Sequence, residues 1–236
     1  MHIPDGYLSP QTYAPLYGLM LFVWQRASVK VKETISKKNL PLLALATAFA
    51  FVIQMFNIPI PGGSTGHAVG SAVIAITLGP WAAVIAVSAV LVLQALLFGD
   101  GGITAIAANS LTMAVITPFA AYCVFHLLAG KYRQFGLRQK ISAAVAGYIS
   151  VNLGAIATAI LLGIQPIIAV SATGEPLYAP YPLKVALPAI ALQHLLFFGF
   201  LEAVVTGVVC AYLARTDVLQ YKKPRRAFGQ RSLDEV

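Results

Sequence analysis

What constrains this chain most is a succession of long apolar runs, at 12–25, 40–57, 67–79, 81–98, 104–129, 141–164 and 184–214, each bounded by glycine, proline or charge. A run of about 20 apolar residues crosses the hydrocarbon core as a helix, because lipid offers the backbone no hydrogen-bond partner. Charged residues are 10% of the chain, against about a quarter in a soluble domain. The expected class is therefore an all-α polytopic membrane protein with about seven transmembrane helices. The run at 67–79 is short for a span, and only Gly79-Pro80 separates it from the next.

The formal charge of +8 suggests nucleic acid until it is mapped. Every Lys and Arg except Lys184 falls into one of three clusters, Arg26 to Lys38, Lys131 to Lys140, and Arg215 to Arg231. Clusters that flank apolar runs mark cytoplasmic faces, not a phosphate-binding surface, so no nucleic-acid partner is expected. Seven spans, with the N-terminus outside and the C-terminus cytoplasmic, put all three clusters on one side. The division expected is a single membrane-embedded metal-binding domain over 1–214 and a basic cytoplasmic tail over 215–236. Lys222-Lys223-Pro224-Arg225-Arg226 in that tail suits anionic lipid. Small residues recur within the spans (Ala44, Ala46, Ala48 and Ala50; Ala143, Ala144 and Gly147), which lets helix backbones approach closely, within the bundle or against another membrane subunit. Cys123 and Cys210 both sit in apolar runs and read as small buried hydrophobes. No charged leader precedes the first run, so Met1 is expected to be the mature start.

That expectation matters because residue two is histidine. Met1-His2-Ile3-Pro4-Asp5-Gly6 places the terminal amine, the His2 amide and the His2 imidazole in line to form fused chelate rings around one ion. Ni(II) and Cu(II) favour such a planar nitrogen set, whereas Zn(II) prefers a tetrahedron. Pro4 has no N–H to compete and stiffens the chain beyond the site, and Gly6 permits a reversal. A large second residue protects the initiator methionine, provided its formyl group is lost. Three nitrogens leave one planar position open. His67, in Pro61-Gly62-Gly63-Ser64-Thr65-Gly66-His67, lies on the same outer side and follows residues small enough to let the loop dip inward.

Polar groups inside spans are costly and hence functional candidates, here Gln94, Asn109, Asn152, Gln193 and Glu202. Glu202 is the one acid within a predicted span. It either pairs with His194, two turns earlier, or bonds to a neighbouring helix. Asp100, in Phe98-Gly99-Asp100-Gly101-Gly102, either forms a turn or hydrogen-bonds a metal-bound imidazole. His126 reads as an interfacial side chain, and His194 as the donor of a helix-to-helix hydrogen bond. A rival reading of another class is an intramembrane metalloenzyme built on His194 and Glu202. The sequence carries no P-loop and no His-Glu-Xaa-Xaa-His pattern, so neither ATP hydrolysis nor that zinc chemistry is expected of it.

The hexapeptide at the start, Gly62 to His67, Gln94 to Gly102 and Ala108 to Met113 resemble the substrate-binding membrane subunit of nickel and cobalt energy-coupling-factor transporters, the NikM/CbiM family, from residue 1 to about 214. The resemblance implies a non-enzymatic transport subunit in a prokaryotic cell membrane, with an additional N-terminal helix giving seven spans. It implies Ni2+ as the transported substrate, with Co2+ as the alternative. Cobalt-type members tend to read Met-His-Ile-Met-Glu-Gly, and Pro4-Asp5 is similar to the nickel type. Met1, His2 and His67 are the implied ligands. Asp5, Ser64, Asp100 and Asn109 are pocket candidates, with Gln94 and Glu202 behind them. The implied partners are a second transmembrane (T) component, two cytoplasmic ATPase subunits and a small accessory membrane subunit. Ala107 departs from the glycine expected there.

Overall fold

The computed structural model describes residues 2–56, 58–60, 64–131 and 134–216. Helix α1 (Pro10–Thr34) starts where Ser9 turns from extended backbone and Pro10 takes the first helical position, where its missing N–H costs nothing. The helix runs nine residues past the apolar stretch that announced it. Arg26, Lys30 and Lys32 thus lie on a helix and not in a loop, since Lys and Arg are good helix formers and Lys30 meets Glu33 at 2.8 Å. Helix α2 (Leu40–Met55) follows a short 3₁₀ turn.

The next segment differs from the simple loop and span expected of it. Strands β1 (Ile58–Ile60) and β2 (Ser64–Gly66) form a small antiparallel hairpin with Ile58 opposite Gly66. Helix α3 covers only Ser71–Leu78. Eight residues rise about 12 Å, against about 30 Å of hydrocarbon, so this helix does not cross alone. Its residues from Ser71 to Ile76 are all buried, which is why their apolarity reads as a span. Gly79, at φ +95°, then reverses the chain directly into α4.

Helices α4 (Pro80–Phe98), α5 (Ile106–Ala129), α6 (Leu137–Ile168) and α7 (Leu183–Leu213) are each long and apolar enough to span a bilayer. Helix α6 packs along both α5 and α7, α3 lies against α4 and α5, and α1 and α2 pack on α4. Small residues on α6 face α7: a Cβ on Gly147 would sit 2.7 Å from Thr206 Oγ1, so the two backbones approach through that gap. On α2, Ala50 is buried while Ala44 and Ala48 are exposed.

Three of the long helices contain a π-helical turn, at Gln94–Phe98 in α4, Ser110–Ile116 in α5 and His194–Phe198 in α7. Such turns shift the side-chain phase and recur at functional sites. Outside, large apolar side chains stand open on several helices, among them Leu21, Phe22, Leu45, Leu97, Leu127 and Val208. A soluble monomer does not tolerate so much exposed apolar surface; lipid does. Cys210 is buried as expected, but Cys123 is exposed, on a surface of the kind lipid would cover.

Candidate metal centre

The residues after His2 form a strap lying across the loop that joins α4 to α5. Ile3 is buried, and the Asn109 carboxamide grips its backbone from both sides. Ile3 N–H donates to Asn109 Oδ1 (2.9 Å), and Asn109 Nδ2 donates to the Ile3 carbonyl (3.1 Å). The Gly102 N–H donates to that same carbonyl at 2.9 Å. Asp5 then accepts from the Thr104 hydroxyl (2.6 Å), the Thr104 N–H (2.8 Å) and the Ile103 N–H (3.0 Å). The Thr104 hydroxyl above all holds the Asp5 carboxyl below its ordinary range. Glycine is required beneath the strap, since a Cβ on Gly102 would overlap the Asp5 backbone nitrogen. Further along, Gln165 on α6 accepts from the Ser9 N–H at 2.9 Å and anchors the start of α1.

His67 arrives from the other side, at the end of β2. A Cβ on Gly66 would overlap the Phe198 ring of α7, so only glycine lets the segment lie that close. The Gln54 amide of α2 donates to the Val69 carbonyl at 3.0 Å. Glu202, fully buried on α7, accepts from the Val69 N–H (2.7 Å) and the Gly70 N–H (3.1 Å). Gly70 itself is left-handed at φ +73° and begins α3.

The two imidazoles meet face to face, with ring centroids 4.8 Å apart and planes inclined by 30°. His2 Nδ1 lies 3.1 Å from His67 Nε2. Hydrogen-bond partners assign the protons. A carbonyl only accepts, so His67 Nδ1, 3.0 Å from the Ala68 carbonyl, carries the hydrogen and Nε2 presents a lone pair. His2 Nε2 donates to Gln94 Oε1 at 3.2 Å, while Gln94 Nε2 points toward Met55 Sδ at 3.9 Å. His2 Nδ1 therefore also presents a lone pair. Burial depresses the His2 imidazole to about 3. Two lone pairs converging at this distance repel unless a cation sits between them. Adjacent corners of a planar site with metal–nitrogen bonds of about 2 Å are separated by about 2.9 Å, close to what is seen.

Asp100 completes the rim. Its Oδ1 is 3.3 Å from His2 Nδ1, and its Oδ2 is buried with no hydrogen-bond partner among the described residues. Burial raises its carboxyl. A hydrogen bond to the His2 imidazole, one of the two roles open to Asp100, is made at Nε2 by Gln94. Met1 lies outside the described residues. Ser64 opposes Ile60 in the hairpin. Among the described residues, no group of three or more His, Cys, Asp or Glu side chains is arranged to hold a metal.

The remaining histidines make no hydrogen bond to this pair among the described residues. His194 donates to the Ile190 carbonyl of its own helix at 2.8 Å, in place of the helix-to-helix bond expected. Among the described residues no hydrogen bond or ion pair joins it to Glu202, whose oxygens are engaged by the chain after His67. The pairing behind the metalloenzyme reading is not formed. His126 bonds to Tyr122 on an exposed surface. Nothing in the sequence pointed to Thr104, whereas Gly101-Gly102 lies in the run already singled out around Asp100, and a Gly-Gly pair beside a polar turn is the usual mark of close backbone approach.

A family model described as the cobalt uptake substrate-specific transmembrane region, CbiM, matches residues 2–218. The chain is 47% identical over 227 residues to the fused nickel transport protein NikMN of Rhodobacter capsulatus, covering 96% of this chain and 65% of that protein. It is 46% identical over 229 residues to the probable fused nickel transport protein LarMN of Lactiplantibacillus plantarum, covering 96% of this chain and 68% of that one. The chain thus spans about two thirds of the length of both fused relatives. A crystal structure of a truncated transition metal transporter superposes with a TM-score of 0.85 at 50% identity, covering 92% of this chain and 99% of that one.

Proposed function

The chain belongs to the CbiM family of metal-uptake membrane proteins, and from that premise we propose that it is the substrate-specificity component of an ATP-driven energy-coupling-factor importer, capturing Ni2+ at the outer face. The observation that carries this reading is the pair of facing lone pairs on His2 Nδ1 and His67 Nε2, 3.1 Å apart. The Met1 amine, the deprotonated His2 amide and His2 Nδ1 supply three corners of a plane. His67 Nε2 closes it opposite the amide, adjacent to His2 Nδ1. One amidate leaves the bound ion with a net positive charge, which the carboxylate of Asp100 offsets from beside the His2 ring.

Nickel is favoured by the all-nitrogen plane and by the two relatives named as nickel transport proteins. Cobalt is the second reading, supported by the family's own description. In this account α1 and α2 join the four long helices as spans, and α3 together with the buried chain leading into it makes the seventh, with the N-terminus outside. The basic residues at the end of α1 and just beyond it, between α5 and α6 and at the start of α6, and after α7 then lie in the cytoplasm of a prokaryotic cell. The transport cycle needs a second transmembrane component, two ATPase subunits that hydrolyse ATP, and a small accessory membrane subunit. The basic tail expected over 215–236 lies outside the described residues from 217 onward, and its proposed role is attraction to anionic lipid.

The test is Ni2+ titration of purified protein with the Met1 amine free and with it acetylated. Acetylation removes the amine as a donor, and the expected result is loss of the absorption band of planar low-spin nickel. An octahedral spectrum from the protein with a free amine, or unchanged binding after acetylation, overturns the reading.

A further inference from the structure

Helix α7 carries one buried stripe at four-residue spacing, His194, Phe198, Glu202, Thr206 and Cys210. Two members of it, one turn apart, touch the segment that delivers His67. The Phe198 ring fills the space that a side chain on Gly66 would need. Glu202 takes the N–H groups of Val69 and Gly70, two and three residues beyond His67. Those N–H groups lead into the first turn of α3, whose positive dipole end suits an anion. From the opposite side, Gln54 fixes the Val69 carbonyl. A wholly buried carboxylate is costly in a membrane helix, and here both of its oxygens are directed at the backbone next to one imidazole.

We propose that Glu202 is the positioning residue of His67: by clamping Val69 and Gly70 it fixes the imidazole at the distance from His2 that a metal ion needs. It acts through His67 and does not touch the ion. The placement of α7 against α3 thereby sets whether the second imidazole reaches the site. The proposal rests on the reading of His67 as a ligand, and the experiment separates the two.

Glu202→Gln keeps the shape but turns an amide donor toward one of the two N–H groups. Its Ni2+ affinity in the purified full-length protein, with nickel chloride as the probe, is expected to fall about 10- to 100-fold, as for other groups that orient a metal ligand. The planar-nickel absorption band should move to where His67→Ala places it. The decisive measurement is the double variant: with Glu202 acting through His67, Glu202→Gln with His67→Ala binds no more weakly than His67→Ala alone. Multiplied losses overturn the proposal, as does a Glu202→Gln protein with unchanged affinity and spectrum. Unchanged binding by His67→Ala overturns the ligand reading, and this proposal with it. A weakened His67→Ala beside an unaffected Glu202→Gln overturns the proposal alone. If Glu202→Gln yields no folded protein, Glu202→Asp, which withdraws the carboxylate by one methylene, serves the same cycle with the same criteria.

Discussion

The strap that carries His2 is gripped at Ile3 and Asp5 by Gly102, Ile103 and Thr104 of one loop and by Asn109, just inside the start of α5. The segment that carries His67 is wedged among three helices, with Gln54 of α2, Phe198 and Glu202 of α7, and the start of α3 around it. One imidazole is thus built into the bundle interior, and the other is laid over it from outside. Ordering a free strap costs about 1–2 kcal/mol per residue, which the Asn109 and Asp5 contacts must offset. The His67 half owes its order to core packing that exists whatever the strap does. A site made this way has a fixed wall and a removable one, and the removable wall supplies most of the proposed donors.

The asymmetry is tested most severely at His2. Replacing His2 by Ala removes one chelate ring and is expected to lower Ni2+ affinity by more than about a thousandfold, measured by calorimetric titration. His67→Ala removes one ligand from the fixed wall and leaves the three proposed strap donors, so the expected loss is smaller, about a hundredfold. Water then takes the fourth position, and the planar nickel band shifts. If His67→Ala proved the more damaging of the two, the strap would not be the main source of donors.

How much of this contrast was legible beforehand follows from what each part depends on. The spans were readable because lipid demands unbroken apolarity: the run at 184–214 is Leu183–Leu213 in the structure, and 104–129 is Ile106–Ala129. The same rule overextended the helix at 67–79, which begins only at Ser71, since the buried chain before it is as apolar as a helix would be. The chelating pattern in Met1-His2 was readable because its geometry is covalent and needs no tertiary partner. The neighbours of His67 were not, because Glu202 reaches Val69 across 133 positions of sequence and nothing local in either segment announces the other. The π-helical turns that begin at Gln94 and His194 likewise leave no periodic trace.

Asn109 tests the clamp without touching a ligand. Asn109→Ala leaves the buried Ile3 N–H without the only acceptor described for it, a cost of about 1–3 kcal/mol. If the strap is ordered by this clamp, Ni2+ binding weakens about tenfold while the absorption band stays in place, because the donors are the same once the ion is bound. A shifted band would mean that Asn109 shapes the donor set itself, and the contrast between the two walls would fail at that point.

The smallest effect is expected at Asp5, the outer end of the strap, which is exposed although it accepts three hydrogen bonds. The Thr104 hydroxyl, followed by backbone N–H groups, lowers its carboxyl below the ordinary value of 3.8. A group whose folded value is depressed contributes stability that is complete above its unfolded value and disappears as pH falls through the folded one. Between pH 6 and 8 Asp5 is ionised in both states, so its contribution to strap order is constant there. Below about pH 4 that contribution fades. Solvent screening keeps it small, and Asp5→Asn should weaken Ni2+ binding only about two- to threefold at pH 7. Since the amide oxygen still accepts from Thr104, the variant should lose the acid-dependent step in thermal unfolding and keep most of its affinity. A loss comparable to that of Asn109→Ala would place the hinge of the strap at Asp5 instead of Ile3.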